Sequence, residues 1–146
     1  LLNKFKWDKV DGKLIVVCGN NEKLYQHLQK EYGDRLILIR KTNQMALYMK
    51  ACDIFLSKPG GLSSTEAAVA QVPYIHMNPI PGCESKNVKY FSKTGMSIAV
   101  RHPRLELGNA LKKLDKPEYV EKMRMAQCAN IPQNARKQIC DWLETL

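Results

Sequence analysis

Short apolar runs alternate with helical patterns along most of this chain. The runs favour β-strands, and they lie at residues 14–18, 36–39, 53–57, 73–77 and 97–100. The first run, Leu-Ile-Val-Val-Cys, contains no polar residue, so we expect a strand that is buried on both faces. Helical patterns follow every run. They are clearest at residues 44–52, 84–93, 104–114, 118–127 and 133–146.

The alternation of strand and helix indicates the fold class. Repeated βαβ units with right-handed connections form a parallel sheet, so we predict an α/β, Rossmann-like sheet of about five to six strands, with helices on both faces and a helical C-terminal tail. Residues 13–146 would then form one domain. Residues 1–12 resemble a linker or domain-boundary segment, and a start without Met indicates a piece of something longer.

Three loops that follow predicted strands are candidates for ligand binding. Open parallel sheets bind ligands outside the carboxyl ends of their strands. The loops at that edge are residues 19–21, 59–63 and 78–84, and His76 ends a strand at the same edge. This placement rests on a rule for the fold class, so it locates a site without defining its chemistry.

The segment SKPGGLSSTEAAVA, residues 57–70, allows two interpretations. In the structural one, Gly60 and Gly61 allow positive φ in a tight corner, and Ser63 and Glu66 form a capping box at the start of a helix. In the functional one, backbone N–H groups of the corner face outward at the positive end of the helix dipole, where a phosphate binds. The segment lacks both the P-loop and the dinucleotide-binding motif, so the glycines alone do not decide between them.

The composition is that of a globular domain. The chain has 146 residues, of which 45% are hydrophobic and 25% charged, and this length is enough for a core without disulfides or metals. No apolar run reaches the roughly 18 residues of a membrane-spanning helix. The five cysteines show no metal-binding spacing, which is typical of a reduced chain. We therefore expect a cytoplasmic protein, with peripheral attachment to the inner face of the membrane left open.

The charge balance favours anionic partners. Lys and Arg outnumber Asp and Glu by 23 to 14, a formal net charge of +9. Such a field attracts phosphorylated ligands or an anionic membrane surface. The basic residues are spread along the chain, without an aromatic RNA-binding motif or a basic zipper region, so nucleic acid is not an expected partner.

The order and spacing of four segments resemble a known enzyme family. The segments are CGNN at residues 18–21, Met45 at a helix start, SKPGGLSSTEAAVAQVP at 57–73 and NPIPGCESKNVKYF at 78–91. They resemble the C-terminal, donor-binding half of family 28 type glycosyltransferases with the GT-B fold. Processive diacylglycerol glucosyltransferases and monogalactosyldiacylglycerol synthases are the most similar members, and the peptidoglycan enzyme that adds N-acetylglucosamine to lipid I is more distant. The resemblance covers residues 14–100.

This resemblance implies roles for individual residues. The positions that match the family's contacts to the donor diphosphate are Gly19, Asn20, Gly60, Gly61, Leu62 and Ser63. Glu66 matches the glutamate that holds the ribose. The positions at the uracil side are Lys41 and Thr42, and those at the donor sugar are Cys83, Glu84 and Asn87. The chain departs from the family in two places: Cys83 replaces the usual Gln, and Lys41 stands where Phe is common.

The resemblance also implies an activity. Such enzymes transfer a hexose from a UDP-sugar to a lipid acceptor such as diacylglycerol and invert the anomeric centre. Their catalytic residues and acceptor groove lie in an N-terminal domain that this chain does not include, so we expect the chain alone to bind the donor without transfer. No Asp-x-Asp motif occurs, and neither a metal nor a cofactor is expected.

Three alternatives stay open from the sequence. A UDP-sugar epimerase of the same two-domain fold would need acid and base groups around the sugar, for which Glu84 and His76 are the candidates. A second alternative is the donor-binding subunit of a split UDP-N-acetylglucosamine transferase. The third is a nucleotide-sugar-binding module without catalysis, to which the departures at Cys83 and Lys41 would point.

Overall fold

The structure, a computed structural model, describes residues 12–146, and strands and helices alternate along them. The strands are β1 (Leu14–Gly19), β2 (Leu36–Arg40), β3 (Phe55–Ser57), β4 (Tyr74–Met77) and β5 (Ile98–Val100). The helices are α1 (Glu22–Tyr32), α2 (Met45–Ala51), α3 (Gly61–Val69), α4 (Cys83–Lys93), α5 (Pro103–Leu114), α6 (Pro117–Asn130) and α7 (Ala135–Leu143). Every predicted strand and helix is present with ends shifted by a few residues, so the α/β class and the helical C-terminal tail are confirmed.

The chain divides into two compact units, one ending at residue 45 and one covering residues 46–146. In the first, β1 and β2 pair in parallel. In the second, β3, β4 and β5 form a parallel sheet in that order. The described strands therefore form sheets of two and three strands, fewer in each than the single sheet of about five to six strands that the sequence predicts. Residues 1–11 lie outside the described residues, and the linker predicted at 1–12 stays a prediction.

The first unit has a small core on one side of its sheet. Cys18, Leu28 and Leu36 are buried together, with partly buried residues such as Tyr25 around them. The alternate positions of the strands are more open: Ile15 is 37% and Ile37 is 43% exposed. Successive side chains of a strand point to opposite faces, and the described contacts bury only one of these faces. The prediction that the first strand is buried on both faces is therefore wrong for the described residues.

The second unit is built around its middle strand. The first three residues of β4 are all buried, because β3 and β5 flank the strand and helices cover it. Helix α3 contributes Ala67 and Ala68, whose small side chains let the helix pack closely, and Ala68 clusters with Phe91 and Met96. The core thus lies directly behind the loops that leave β3 and β4 at their carboxyl ends.

Helix α6 joins this core through a buried polar side chain. Gln127 Nε2 donates hydrogen bonds to the carbonyls of Val72 and Met96, at 2.9 and 3.1 Å. Its amide oxygen is buried without a hydrogen-bond partner among the described residues. Helix α7 is exposed along its whole length. Among residues 12–146, no helix combines the length and the apolar character needed to cross a bilayer.

Candidate functional site

Helix α3 starts in the glycine corner that the sequence singles out. Gly60 is the N-cap residue, with φ −65° and ψ 143°, and the helix begins at Gly61 without a side-chain hydrogen bond at its cap. Ser63 is therefore the third helical residue rather than the cap, and the predicted capping box with Glu66 is wrong. Neither glycine uses the positive φ that the structural interpretation allows, because the chain enters the helix through an extended Gly60.

The first turn of α3 leaves backbone donors free for a ligand. In an α-helix the first N–H groups have no carbonyl one turn behind them. The first bond that closes the turn runs from the Ser64 N–H to the Gly60 carbonyl, at 3.0 Å. The N–H groups of Gly61, Leu62 and Ser63 therefore lie at the positive end of the helix dipole. The Leu62 side chain is 80% exposed, so this end of the helix is open to solvent.

Two side chains hold the loop that precedes α3. The Tyr74 hydroxyl donates to the Lys58 carbonyl at 2.9 Å. The Asn87 amide donates to the Pro59 carbonyl at 2.8 Å. A Cβ atom added to Gly61 would come within 3.9 Å of the same amide nitrogen. The loop is therefore held by one side chain from β4 and by one from α4.

His76 lies beneath the first turn of α3 and is only 1% exposed. Its Nε2 is 2.9 Å from the Ser64 hydroxyl, and its Nδ1 is 2.8 Å from the Ser97 hydroxyl. Burial lowers the pKa of the imidazole from its ordinary value near 6.5 to about 4. A neutral, buried ring of this kind does not reach a ligand at the surface. The sequence suggests a role for His76 in the site, and that role can only be exerted through neighbouring residues.

The loop between β4 and α4 carries the predicted sugar-binding residues. Gly82 precedes the helix with φ 104°, a conformation that favours glycine, and α4 begins at Cys83, whose thiol is exposed and free. One carboxylate oxygen of Glu84 accepts the Ile80 N–H at 2.5 Å, which closes the loop on the start of the helix. Asn87 follows three residues later, on the same side of α4 as Glu84.

Glu66 lies on the exposed part of α3. It is three residues after Ser63, so the two side chains share a face of the helix. Its carboxylate has no hydrogen bond or ion pair within the described part of the chain. An exposed carboxylate beside free N–H groups can accept bonds from hydroxyl groups of a ligand that the helix end holds.

The first unit carries the other predicted residues. Gly19 ends β1 with φ 61°, and Asn20 is exposed in the turn after it. Asn21 caps α1, since its side-chain oxygen accepts the Leu24 N–H at 3.0 Å. The family resemblance predicts a site in this loop, and the Asn21 cap holds the loop against the start of α1.

An ion pair at the end of β2 was not foreseen from the sequence. Arg40 donates two hydrogen bonds of 3.0 Å to Glu22 and lies 3.7 Å over the Tyr25 ring. These hydrogen bonds lower the pKa of the Glu22 carboxyl. Lys41, next to it, is exposed, and the Thr42 hydroxyl accepts the Gln44 N–H at 3.0 Å.

Within residues 46–146 the structure brings two predicted groups together. The glycine corner and the start of α4 meet where Asn87 binds the Pro59 carbonyl. Sequence reasoning missed the buried partners of this corner, which are Ser64, Tyr74 and Ser97. No sequence signal separates Ser64 from its neighbour Ser63, because only the packed helix shows which hydroxyl points inward. The remaining predicted residues, Gly19, Asn20, Lys41 and Thr42, belong to the other unit.

Comparison with known families gives one match that covers most of the chain. Residues 2–139 match the model described as "Glycosyltransferase family 28 C-terminal domain". The chain is 36% identical over 92 residues to the processive diacylglycerol beta-glucosyltransferase of Bacillus cereus strain B4264, a match that covers 61% of this chain and 24% of that enzyme. The enzyme of the same description from Bacillus thuringiensis strain Al Hakam is 35% identical over 94 residues, with 62% and 24% covered. The matched segment thus spans about a quarter of the length of these relatives.

Solved structures support the fold. The crystal structure of Acinetobacter baumannii MurG is similar with a TM-score of 0.69 and 19% identity, over 94% of this chain and 43% of that one. SsfS6, a glycosyltransferase from Streptomyces sp. SF2575, gives a TM-score of 0.59 and 15% identity, over 90% and 40%. At these identities the likeness shows the fold alone, and it confirms the predicted Rossmann-like half of a GT-B fold.

Proposed function

Because this chain belongs to glycosyltransferase family 28, as the C-terminal domain, we propose that it binds the UDP-sugar donor of an inverting hexosyltransferase. The acceptor that we propose is a lipid such as diacylglycerol, since the relatives in Bacillus cereus are named for that substrate. The catalytic residues would lie in a further, N-terminal domain. The observation that carries the proposal is the open first turn of α3.

The donor diphosphate is assigned to this turn. The N–H groups of Gly61, Leu62 and Ser63 have no partner within the helix, and the dipole adds a partial positive charge. The diphosphate becomes more negative as the bond to the sugar breaks. Donors that are already aimed at that charge stabilise it in the transition state without reorganisation. The corner therefore suits a leaving group of this chemistry.

The ribose is assigned to Glu66. Its exposed carboxylate shares a helix face with Ser63, so a nucleotide whose phosphates lie on the helix end has its ribose hydroxyls within reach of the next turn. An ionised carboxylate accepts two hydrogen bonds, which matches a pair of vicinal hydroxyls.

The donor sugar is assigned to the start of α4. Glu84 uses one carboxylate oxygen for the Ile80 N–H, and we assign its other oxygen to a sugar hydroxyl. The exposed thiol of Cys83 and the side-chain amide oxygen of Asn87 complete the residues that we assign to the sugar. For the first unit, the assignments of Gly19 and Asn20 to the phosphates and of Lys41 and Thr42 to the uracil side stay predictions from the family resemblance.

The experiment is a calorimetric titration of the complete natural protein with UDP. We expect Glu66→Ala to raise the Kd for UDP by about tenfold to one-hundredfold, because hydrogen bonds to a charged group are lost. Glu121→Ala, an exposed glutamate on α6, is the matched control and should leave the Kd unchanged. Equal affinities of the wild type and Glu66→Ala would refute the donor-site assignment. Transfer assays with UDP-glucose, UDP-galactose and UDP-N-acetylglucosamine then separate a transferase from an epimerase or a non-catalytic module.

A further inference from the structure

A buried imidazole beneath the glycine corner has no part in the proposed contacts with UDP. His76 is the third residue of β4 and pairs with Ser57 of β3 on one side and Ala99 of β5 on the other. The Tyr74 ring lies 4.1 Å from its ring centroid, and the Phe91 ring lies 5.5 Å away, edge on. The aromatic neighbours fix the plane of the imidazole, and both of its nitrogens are left to bind polar groups.

Both nitrogens have partners, and the partners come from different elements. Ser64 belongs to α3, whereas Ser97 directly precedes β5. A neutral imidazole has one N–H donor and one acceptor nitrogen. One serine hydroxyl therefore donates to the ring and the other accepts from it, and the ring ties the helix to the sheet through two directional bonds.

Ser64 holds a particular place in the helix. Its N–H forms the first bond that closes α3, to the Gly60 carbonyl. Its side chain is fully buried and points away from the solvent side of the corner. A restraint on Ser64 is therefore a restraint on the first helical turn, whose N–H groups we assign to the diphosphate.

The other two anchors act on the residues just before this turn. Tyr74 holds the Lys58 carbonyl and Asn87 holds the Pro59 carbonyl. With the Ser64 link, polar side chains fix the loop on both sides of the Gly60 cap. Free donors on a held backbone bind an anion without first losing conformational entropy, which is the physical meaning of preorganisation.

We propose that His76 is a positioning residue for donor binding, which acts through Ser64 to hold the first turn of α3 in the orientation that receives a diphosphate. This inference rests on the proposed UDP site. On this proposal, His76 is buried and contacts no ligand, yet it contributes to the affinity for the phosphates. It contributes nothing to the affinity for the nucleoside.

The test compares two buried serines on the same imidazole in the complete natural protein. Ser64→Ala removes the link to α3, and Ser97→Ala removes the link to the sheet while the Ser64 bond remains. The measurement is the ratio of the Kd for uridine to the Kd for UDP, because only the second ligand carries the diphosphate. We expect Ser64→Ala to lower this ratio by about threefold to tenfold and Ser97→Ala to lower it clearly less.

The outcomes separate this inference from the proposed function. If the wild type does not prefer UDP over uridine, the diphosphate site itself is refuted, and the role of His76 with it. If the wild type prefers UDP but the two variants change the ratio equally, or leave it unchanged, His76 is only part of the core and the positioning role alone is overturned.

Hydrogen exchange gives a second readout that does not depend on the ligand. We expect the backbone N–H of residue 64 to exchange at least about threefold faster in Ser64→Ala than in Ser97→Ala, when both rates are compared at matched global stability. Equal rates would show that the side-chain link does not hold the first turn, and would overturn the proposal.

Discussion

The Asn87 side chain donates a hydrogen bond of 2.8 Å to the Pro59 carbonyl and so joins the loop after β3 to helix α4. Pro59 has no N–H of its own, and its carbonyl lies in the loop between the end of β3 and the Gly60 cap. This amide, together with the packing of Ala68 on Phe91, sets the spacing between the proposed diphosphate-binding and sugar-binding segments.

Asn87→Asp should disrupt this link. The change replaces the N–H donor with a carboxylate oxygen, which faces the Pro59 carbonyl without a proton between them. We expect the free energy of unfolding to fall by about 1–3 kcal/mol, measured by urea denaturation at neutral pH. Asn109→Asp, an exposed asparagine on α5, is the matched control and should change it by less than about 0.5 kcal/mol. Equal effects of the two variants would contradict the importance of the Asn87 bond.

His76 should make stability depend on pH in mildly acidic solution. Its pKa is about 4 in the folded chain and near 6.5 in the unfolded one, so the unfolded state takes up a proton first as the pH falls. The stabilisation is complete above pH 6.5 and is lost on the way down to pH 4, at no more than about 1.4 kcal/mol per pH unit. The free energy of unfolding, measured by denaturation at several pH values in this range, should fall more steeply with decreasing pH in the wild type than in His76→Phe. Parallel pH profiles would exclude the histidine as the source.

Gln127→Ala should destabilise the core around α6. It leaves the carbonyls of Val72 and Met96 without their side-chain donor and opens a cavity, so we expect a loss of about 2–4 kcal/mol in the free energy of unfolding. The exposed Gln138 of α7 offers a control, and Gln138→Ala should lower stability by less than about 1 kcal/mol. A loss below 1 kcal/mol in Gln127→Ala would show that these carbonyls find other donors.

From the net charge of +9 we predict that the protein binds anionic membranes and that salt weakens this binding. We expect the complete natural protein to sediment with vesicles that contain phosphatidylglycerol, and less of it to do so when the salt is raised from about 0.05 M to about 0.5 M, since the Debye length then falls well below 10 Å. Vesicles of phosphatidylcholine alone are the control. Binding that is equal on both kinds of vesicle, or unaffected by salt, would rule out charge as its cause.

The periodicity of apolar residues was sufficient to predict the order of the elements. Runs such as 36–39 and 97–100 lie between helical patterns, and burial of an apolar strand is a local requirement that the sequence displays directly. The predicted strand at residues 53–57 starts two residues too early. Ile54 is apolar and extends the run, but the ladder to β4 begins only at Phe55.

The start of helix α3 does not follow from residue spacing alone. From sequence, Ser63 and Glu66 match a capping box, because only their spacing is visible. In the folded chain the helix begins three residues earlier than a Ser63 cap would place it, since Gly60 is the extended N-cap and the Pro59 carbonyl is held by Asn87. Distant partners, and not local preference, decided where the helix starts.

The sequence by itself determined the class of fold, the family, and the segments that carry the proposed site, because hydrophobic period and motif spacing are properties of the linear chain. Only the tertiary structure decided that Ser64 points inward to His76, that Ser97 completes the imidazole's hydrogen bonds, and that the Glu66 carboxylate makes no hydrogen bond or ion pair within residues 12–146. Those facts depend on which side chains meet across β4 and the helices packed on it, and such meetings follow from three-dimensional packing that no local spacing encodes.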